Sequence, residues 1–135
     1  IRTRCEEHGV RFEYFRGDEP QTHFQRYLLD PSGSQDGESN YLQCPHANSC
    51  LFLYQDRMYP CGIGAHMRIF QEHFQTGMEL TEEDGVDIYG VRSGRDLLYQ
   101  LAKVSPRCRY CQVECWEEKA PWSHSKKSLG EWTKE

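Results

Sequence analysis

Five cysteines fall into two groups that could share one inorganic centre. Cys44, Cys50 and Cys61 sit in "CPHANSCLFLYQDRMYPC", and Cys108 and Cys111 form a C-x-x-C in "PRCRYCQVEC". Thiolates are soft ligands and select zinc, copper(I) or iron–sulfur clusters. A C-x-x-C turn can set two sulfurs on one ion or cluster, and four cysteines complete either a tetrahedral zinc or a four-iron, four-sulfur (4Fe–4S) cluster. A zinc ribbon pairs two C-x-x-C knuckles. Here C-x5-C-x10-C stands where the first knuckle would be. A cluster is larger than one ion and accepts wider spacing. The pattern therefore points to a metal, to iron–sulfur ahead of zinc, with zinc as the alternative.

Other uses of these thiols fit less well. Seven cysteines in 135 residues suggest a disulfide framework in a secreted protein, but an odd count leaves one thiol over. The opening "IRTRCEEHGV" is charged and lacks the apolar segment of a secretory signal. A reducing, cytoplasmic setting is expected, where clustered cysteines read as ligands or redox groups. A thioredoxin-like C-x-x-C lies between a strand and a helix start, where the helix dipole lowers the thiol pKa. Pro106 precedes Cys108, and no clear helix follows Cys111. Cys44 and His46 are near in sequence, which alone is no sign of a nucleophile–base pair. Cys5 reads as a small buried residue, and Cys115 as a ligand, spare thiol or core residue. The six histidines show no ligand spacing, and His66 and His73 read as surface residues.

The elements that must position the sulfurs follow from periodicity. Residues 2 to 8 suit a helix stopped by Gly9. "VRFEYFR" alternates like a half-buried strand, and "PQTHFQRYLLD" puts Phe24, Tyr27 and Leu28 at helical spacing. "DPSGSQDGESN" is rich in breakers and reads as a loop or linker. "CLFLYQDRMYPC" predicts a β-hairpin with its tip at Gln55 to Arg57, and Pro60 at the end of its second strand. That hairpin brings Cys50 and Cys61 side by side. "GAHMRIFQEHFQTG" predicts a helix with Met67, Phe70 and Phe74 on one face, closed by Gly77. In "SGRDLLYQLAKV", Ser93 and Asp96 form an N-cap signature. Leu97, Leu98 and Leu101 are expected to face the core, and Pro106 to lie beyond the end. The tail "SHSKKSLGEWTKE" predicts a final short helix. The fold class expected is α+β: a small hairpin-centred domain with flanking short helices, stapled by a cysteine-ligated metal centre.

Composition bounds the function. The length suits one compact domain. Only 37% of residues are hydrophobic against 27% charged, so the core is thin and a staple would help it. A net charge of −5 argues against gripping nucleic acid, which needs clustered Lys and Arg. The basic pair Lys126–Lys127 is too short for that and reads as solvated surface. No apolar run approaches the roughly 18 residues of a membrane span. The first residue is Ile, as expected of a piece of a longer protein.

The same residues carry a family resemblance. "SCLFLYQDRMYPC", "AHMRIFQEHFQTGMELTEEDGVDIYGVRSGRDLLYQLAKVSPRCRYC" and "PWSHSKKSLGEW" together resemble the C-terminal auxiliary iron–sulfur domain, of the SPASM or twitch type, of bacterial radical SAM proteins. The resemblance runs over roughly residues 27 to 132. It implies that Cys61, Cys108 and Cys111 are 4Fe–4S ligands, with Cys44 or Cys50 as the fourth. It also implies domains at 1–30 (the end of an upstream, partial TIM-barrel-like domain), 31–43 (linker) and 44–135 (cluster domain). "CEEHGVRFEYF" would then be the last barrel helix and strand. Asp56 stands where the family's hairpin has Gly, so a looser turn is expected. Cys108-x2-Cys111-x3-Cys115 reverses the gaps of the radical SAM signature C-x3-C-x2-C. S-adenosylmethionine and its cluster are therefore expected only in an upstream radical SAM domain, the implied partner, and no catalysis is expected of this chain alone. The substrate is left open, and no nucleic-acid or membrane partner is expected.

Overall fold

The computed structural model describes residues 1–13, 22–47 and 49–134. It is a small α+β domain built from two small sheets and short helices. Helix α1 (Arg2–Glu7) ends just before Gly9, whose φ of +64° is a left-handed value that glycine adopts without strain. Residues 10–13 form no strand. The rest of the strand expected at "VRFEYFR" lies outside the described residues.

The helix expected around Phe24, Tyr27 and Leu28 is instead strand β1 (His23–Arg26). Its partner β5 (Glu117–Pro121) comes from the far end of the chain and pairs with it antiparallel, Phe24 opposite Ala120. Apolar spacing gave the local preference, and this distant pairing overrode it. The chain then continues extended. Leu28 and Leu29 are buried, and their backbone bonds go to the same C-terminal region: Leu29 N–H to Trp132 C=O (2.7 Å), and Gln112 N–H to Leu28 C=O (3.0 Å). Residues 23–29 thus pack onto the segment that follows the C-x-x-C.

The breaker-rich stretch is only half a loop. Residues 37 to 43 form α2 (Gly37–Gln43), because Asp36 caps it by accepting from the N–H groups of Glu38 and Ser39. Helix α2 docks on the 3₁₀ turn Pro106–Tyr110. A Cβ at Gly37 would lie 3.3 Å from the Arg109 backbone nitrogen, so glycine permits this close approach.

The hairpin is present as expected. Strands β2 (Phe52–Tyr54) and β3 (Arg57–Tyr59) pair in register from Phe52–Tyr59 to Tyr54–Arg57. Gln55 and Asp56 both have positive φ, +48° and +60°. That is the pattern of a tight two-residue type I′ turn, so Asp56 does not loosen it; Asp tolerates the left-handed region better than most residues. β4 (Val86–Asp87) extends this sheet beside β3.

Helix α3 (Gly62–Phe74) follows at once, and Met67 on it is nearly inaccessible at 2%. Its C-cap is Gln75, at φ +51° and ψ +44°, rather than Gly77. Leu29, Met67, Met78, Tyr110 and Cys111 make the core, with Phe70 and Trp116 packed against it. Helix α4 (Gly94–Leu101) is capped by Ser93, which accepts from the Asp96 N–H at 3.2 Å. Of the leucines expected to face inward, only Leu101 is buried, and Leu98 is 58% exposed. The helix has eight residues and touches β4 along little of its length, so one leucine suffices to seat it. The final short helix is a 3₁₀ turn at Leu129–Glu131. No helix among the described residues is long and apolar enough to cross a membrane.

Candidate metal centre

All seven cysteines are free thiols, and four of them, Cys44, Cys61, Cys108 and Cys111, line one cavity. Each arrives at the end of a short element. Cys44 is the C-cap of α2, its N–H directed to Tyr41 C=O at 3.4 Å. Cys61 is the N-cap of α3, placed there because Pro60 ends β3. Its Sγ accepts from the Gly64 N–H at 3.4 Å, so a helix N-terminus faces this sulfur. Cys108 and Cys111 flank the end of the 3₁₀ turn, joined by Cys111 N–H to Cys108 C=O at 3.2 Å. Cys50 is exposed and lies outside the cavity lining, so the hairpin delivers only its downstream cysteine. Cys115 lies on another surface, where Lys134 Nζ approaches its sulfur at 3.6 Å. Cys5 is on α1 and half-buried.

The far pair is held by residues that the sequence did not single out. Asn40, buried on α2, donates through Nδ2 to Cys108 C=O (3.0 Å) and Cys111 C=O (2.5 Å). Asp84, buried at the end of the 3₁₀ turn Glu82–Asp84, accepts from Ser105 Oγ and the Arg107 N–H, both at 3.0 Å. Its other oxygen takes the Thr81 N–H at 2.7 Å. The acidic segment thus locks the turn that carries Cys108. Nothing local in the sequence tied Asp84 to residues 105 and 107.

The electrostatics describe a dry thiol site. Burial pushes the Cys108 thiol up to about 11, with the Cys61 sulfur adding to the rise and Arg107 opposing it. Burial also raises Cys111, reinforced by Cys108, Cys61 and Cys44. Cys61 is raised by burial, against the Gly64 N–H and Arg107. The rise at Cys111 thus has its neighbours' sulfurs as a second cause after burial. A thiol–disulfide enzyme needs the reverse, a depressed pKa on an accessible thiol. His46 is engaged elsewhere, with Tyr27 Oη at 3.1 Å and edge-on to that ring. His66 and His73 are both exposed.

The sulfurs converge without closing on a point. Among the described residues no three His, Cys, Asp or Glu side chains stand close enough to hold one metal ion. A tetrahedral zinc, with bonds of about 2.3 Å, would draw its sulfurs to within about 4 Å of one another. The cavity has about 20 Å³ of free space, room for about one water. Four thiols on walls that are apolar apart from Asn40, Tyr41 and Arg107 suit a soft metal centre in chemistry. No family model matches this chain, and no curated protein or solved structure matches it.

Proposed function

We propose that the chain holds a 4Fe–4S cluster through Cys44, Cys61, Cys108 and Cys111, as the auxiliary cluster domain of a bacterial radical SAM enzyme of the cytoplasm. One observation carries this reading: four free thiols from three separate regions line a single, largely enclosed cavity. The exposure of Cys50 favours Cys44 as the fourth ligand. When bound, such a cluster would supply one-electron redox capacity, and four cysteine ligands would leave no iron open to substrate. The chain's own share is to exclude water, to fix the four sulfurs through Asn40, Asp84 and the α3 N-terminus, and to staple a thin core. Electron transfer or structural support fits better than substrate ligation. The radical chemistry and S-adenosylmethionine belong to the upstream domain.

A second reading, a zinc-stapled interaction module, is favoured by the small free volume, which suits one ion. Anaerobic reconstitution with iron and sulfide separates the two. Broad brown absorbance that disappears in Cys61→Ala and Cys108→Ala, and persists in Cys50→Ala, is the expected result. Colourless protein carrying one tightly held zinc would overturn the cluster in favour of the staple.

A further inference from the structure

Arg107 precedes the first cysteine of the C-x-x-C and is only 2% exposed. Its guanidinium donates to the Asp84 backbone carbonyl and lies 5.0 Å from the centre of the Tyr59 ring. Neither contact brings a negative charge. No carboxylate among the described residues forms an ion pair with it. The Asp84 carboxylate is turned to Ser105, Thr81 and the Arg107 backbone. Arg107 Nε is buried with no hydrogen-bond partner. A buried cation left in this state is costly, and proteins pair such groups.

The cavity supplies what is missing. Arg107 lines it together with the four thiols and Gly64. A Cβ at Gly64 would overlap the guanidinium, so the first turn of α3 leaves room for it. Four thiolates around zinc, or around a cubane cluster, leave a net negative charge in a site with few other counterions.

We propose that Arg107 is the fixed countercharge of the thiolate centre, a positioning residue whose guanidinium stabilises the bound metal group and favours the reduced state of a cluster. This rests on the metal-centre reading above. Reduction adds one more negative charge beside the guanidinium, so its removal makes the potential more negative.

The test uses the full chain with Arg107→Met, which is neutral, Arg107→Lys, which keeps the charge, and Arg107→Gln, which keeps a donor for the Asp84 carbonyl. Zinc affinity is measured by competition with a chromophoric chelator. The cluster midpoint potential is measured by redox titration followed by paramagnetic resonance. Met and Gln are expected to weaken zinc binding about tenfold and to shift the potential about 59 mV negative, a tenfold change for one electron. Lys is expected to keep most of both. Unchanged values in Met and Gln overturn the proposal, as does equal loss in all three variants, which would mark a packing role. If the wild-type chain takes zinc but no cluster, the cluster reading fails, and a weaker zinc site in Met and Gln still upholds the countercharge. A wild-type chain that binds neither overturns both.

Discussion

Asn40→Leu is the most informative single substitution, because it leaves every sulfur in place. Asn40 is 8% exposed and its Nδ2 bonds two carbonyls of the C-x-x-C turn, 3.0 Å to Cys108 and 2.5 Å to Cys111. Leu keeps the branched shape of Asn but is bulkier, so some overpacking adds to the cost. The Cys108 carbonyl keeps a second donor, the Cys111 N–H. The cost then falls mainly on Cys111, whose carbonyl loses its short bond inside the core. An orphaned buried acceptor costs about 1–3 kcal/mol, and a lost ordinary hydrogen bond about 1 kcal/mol. The metal-free protein should therefore lose about 2–4 kcal/mol. Urea unfolding under reductant, comparing midpoints at constant slope, measures this directly. Metal affinity should fall as well, because the turn must be ordered at the moment of binding. A loss of under about 0.5 kcal/mol, within the range of ordinary surface substitutions, would refute the idea that α2 clamps the far cysteine pair.

Two further outcomes concern stability away from the thiols. Gln75 caps α3 in the left-handed region at φ +51°, so Gln75→Gly should raise stability by about 0.5–1 kcal/mol, offset in part by loss of its side-chain bond to the Glu72 carbonyl; a destabilised variant would contradict this account of the cap. Asp30 gathers bonds from Gln35, Ser32 and Ser34 that hold its carboxyl well below the usual range, although burial pulls the other way. A carboxyl with a depressed folded pKa binds its proton more weakly folded than unfolded, so its stabilisation is complete above about pH 4, the unfolded value, and is lost as pH falls below it. Unfolding measured from pH 6 down to 2 should show a shallower acid loss in Asp30→Asn than in wild type, and parallel curves would rule the contribution out.

What the sequence determined by itself was local. The Pro60 stop and the Ser93 cap are each written within a few residues and formed where expected, and the hairpin tip expected at Gln55 to Arg57 formed at Gln55 and Asp56, with Arg57 already in β3. Sulfur chemistry was legible too, because C-x-x-C and a hairpin cysteine carry their meaning in residue type and spacing. The tertiary structure decided which sulfurs meet. Sequence spacing left Cys44 and Cys50 equivalent, and only the docking of α2 on the Pro106–Tyr110 turn brought Cys44 to the cavity while the hairpin left Cys50 in solvent. The same docking explains Asn40, and the packing of the Glu82–Asp84 turn on the Pro106–Tyr110 turn explains Asp84; the partners of both lie beyond any local signature. A distant partner also decided β1, where apolar spacing said helix and a strand from the far end of the chain said otherwise. Periodicity reports how a segment would bury one face, but a paired edge or a shared cavity depends on a partner that the segment does not contain.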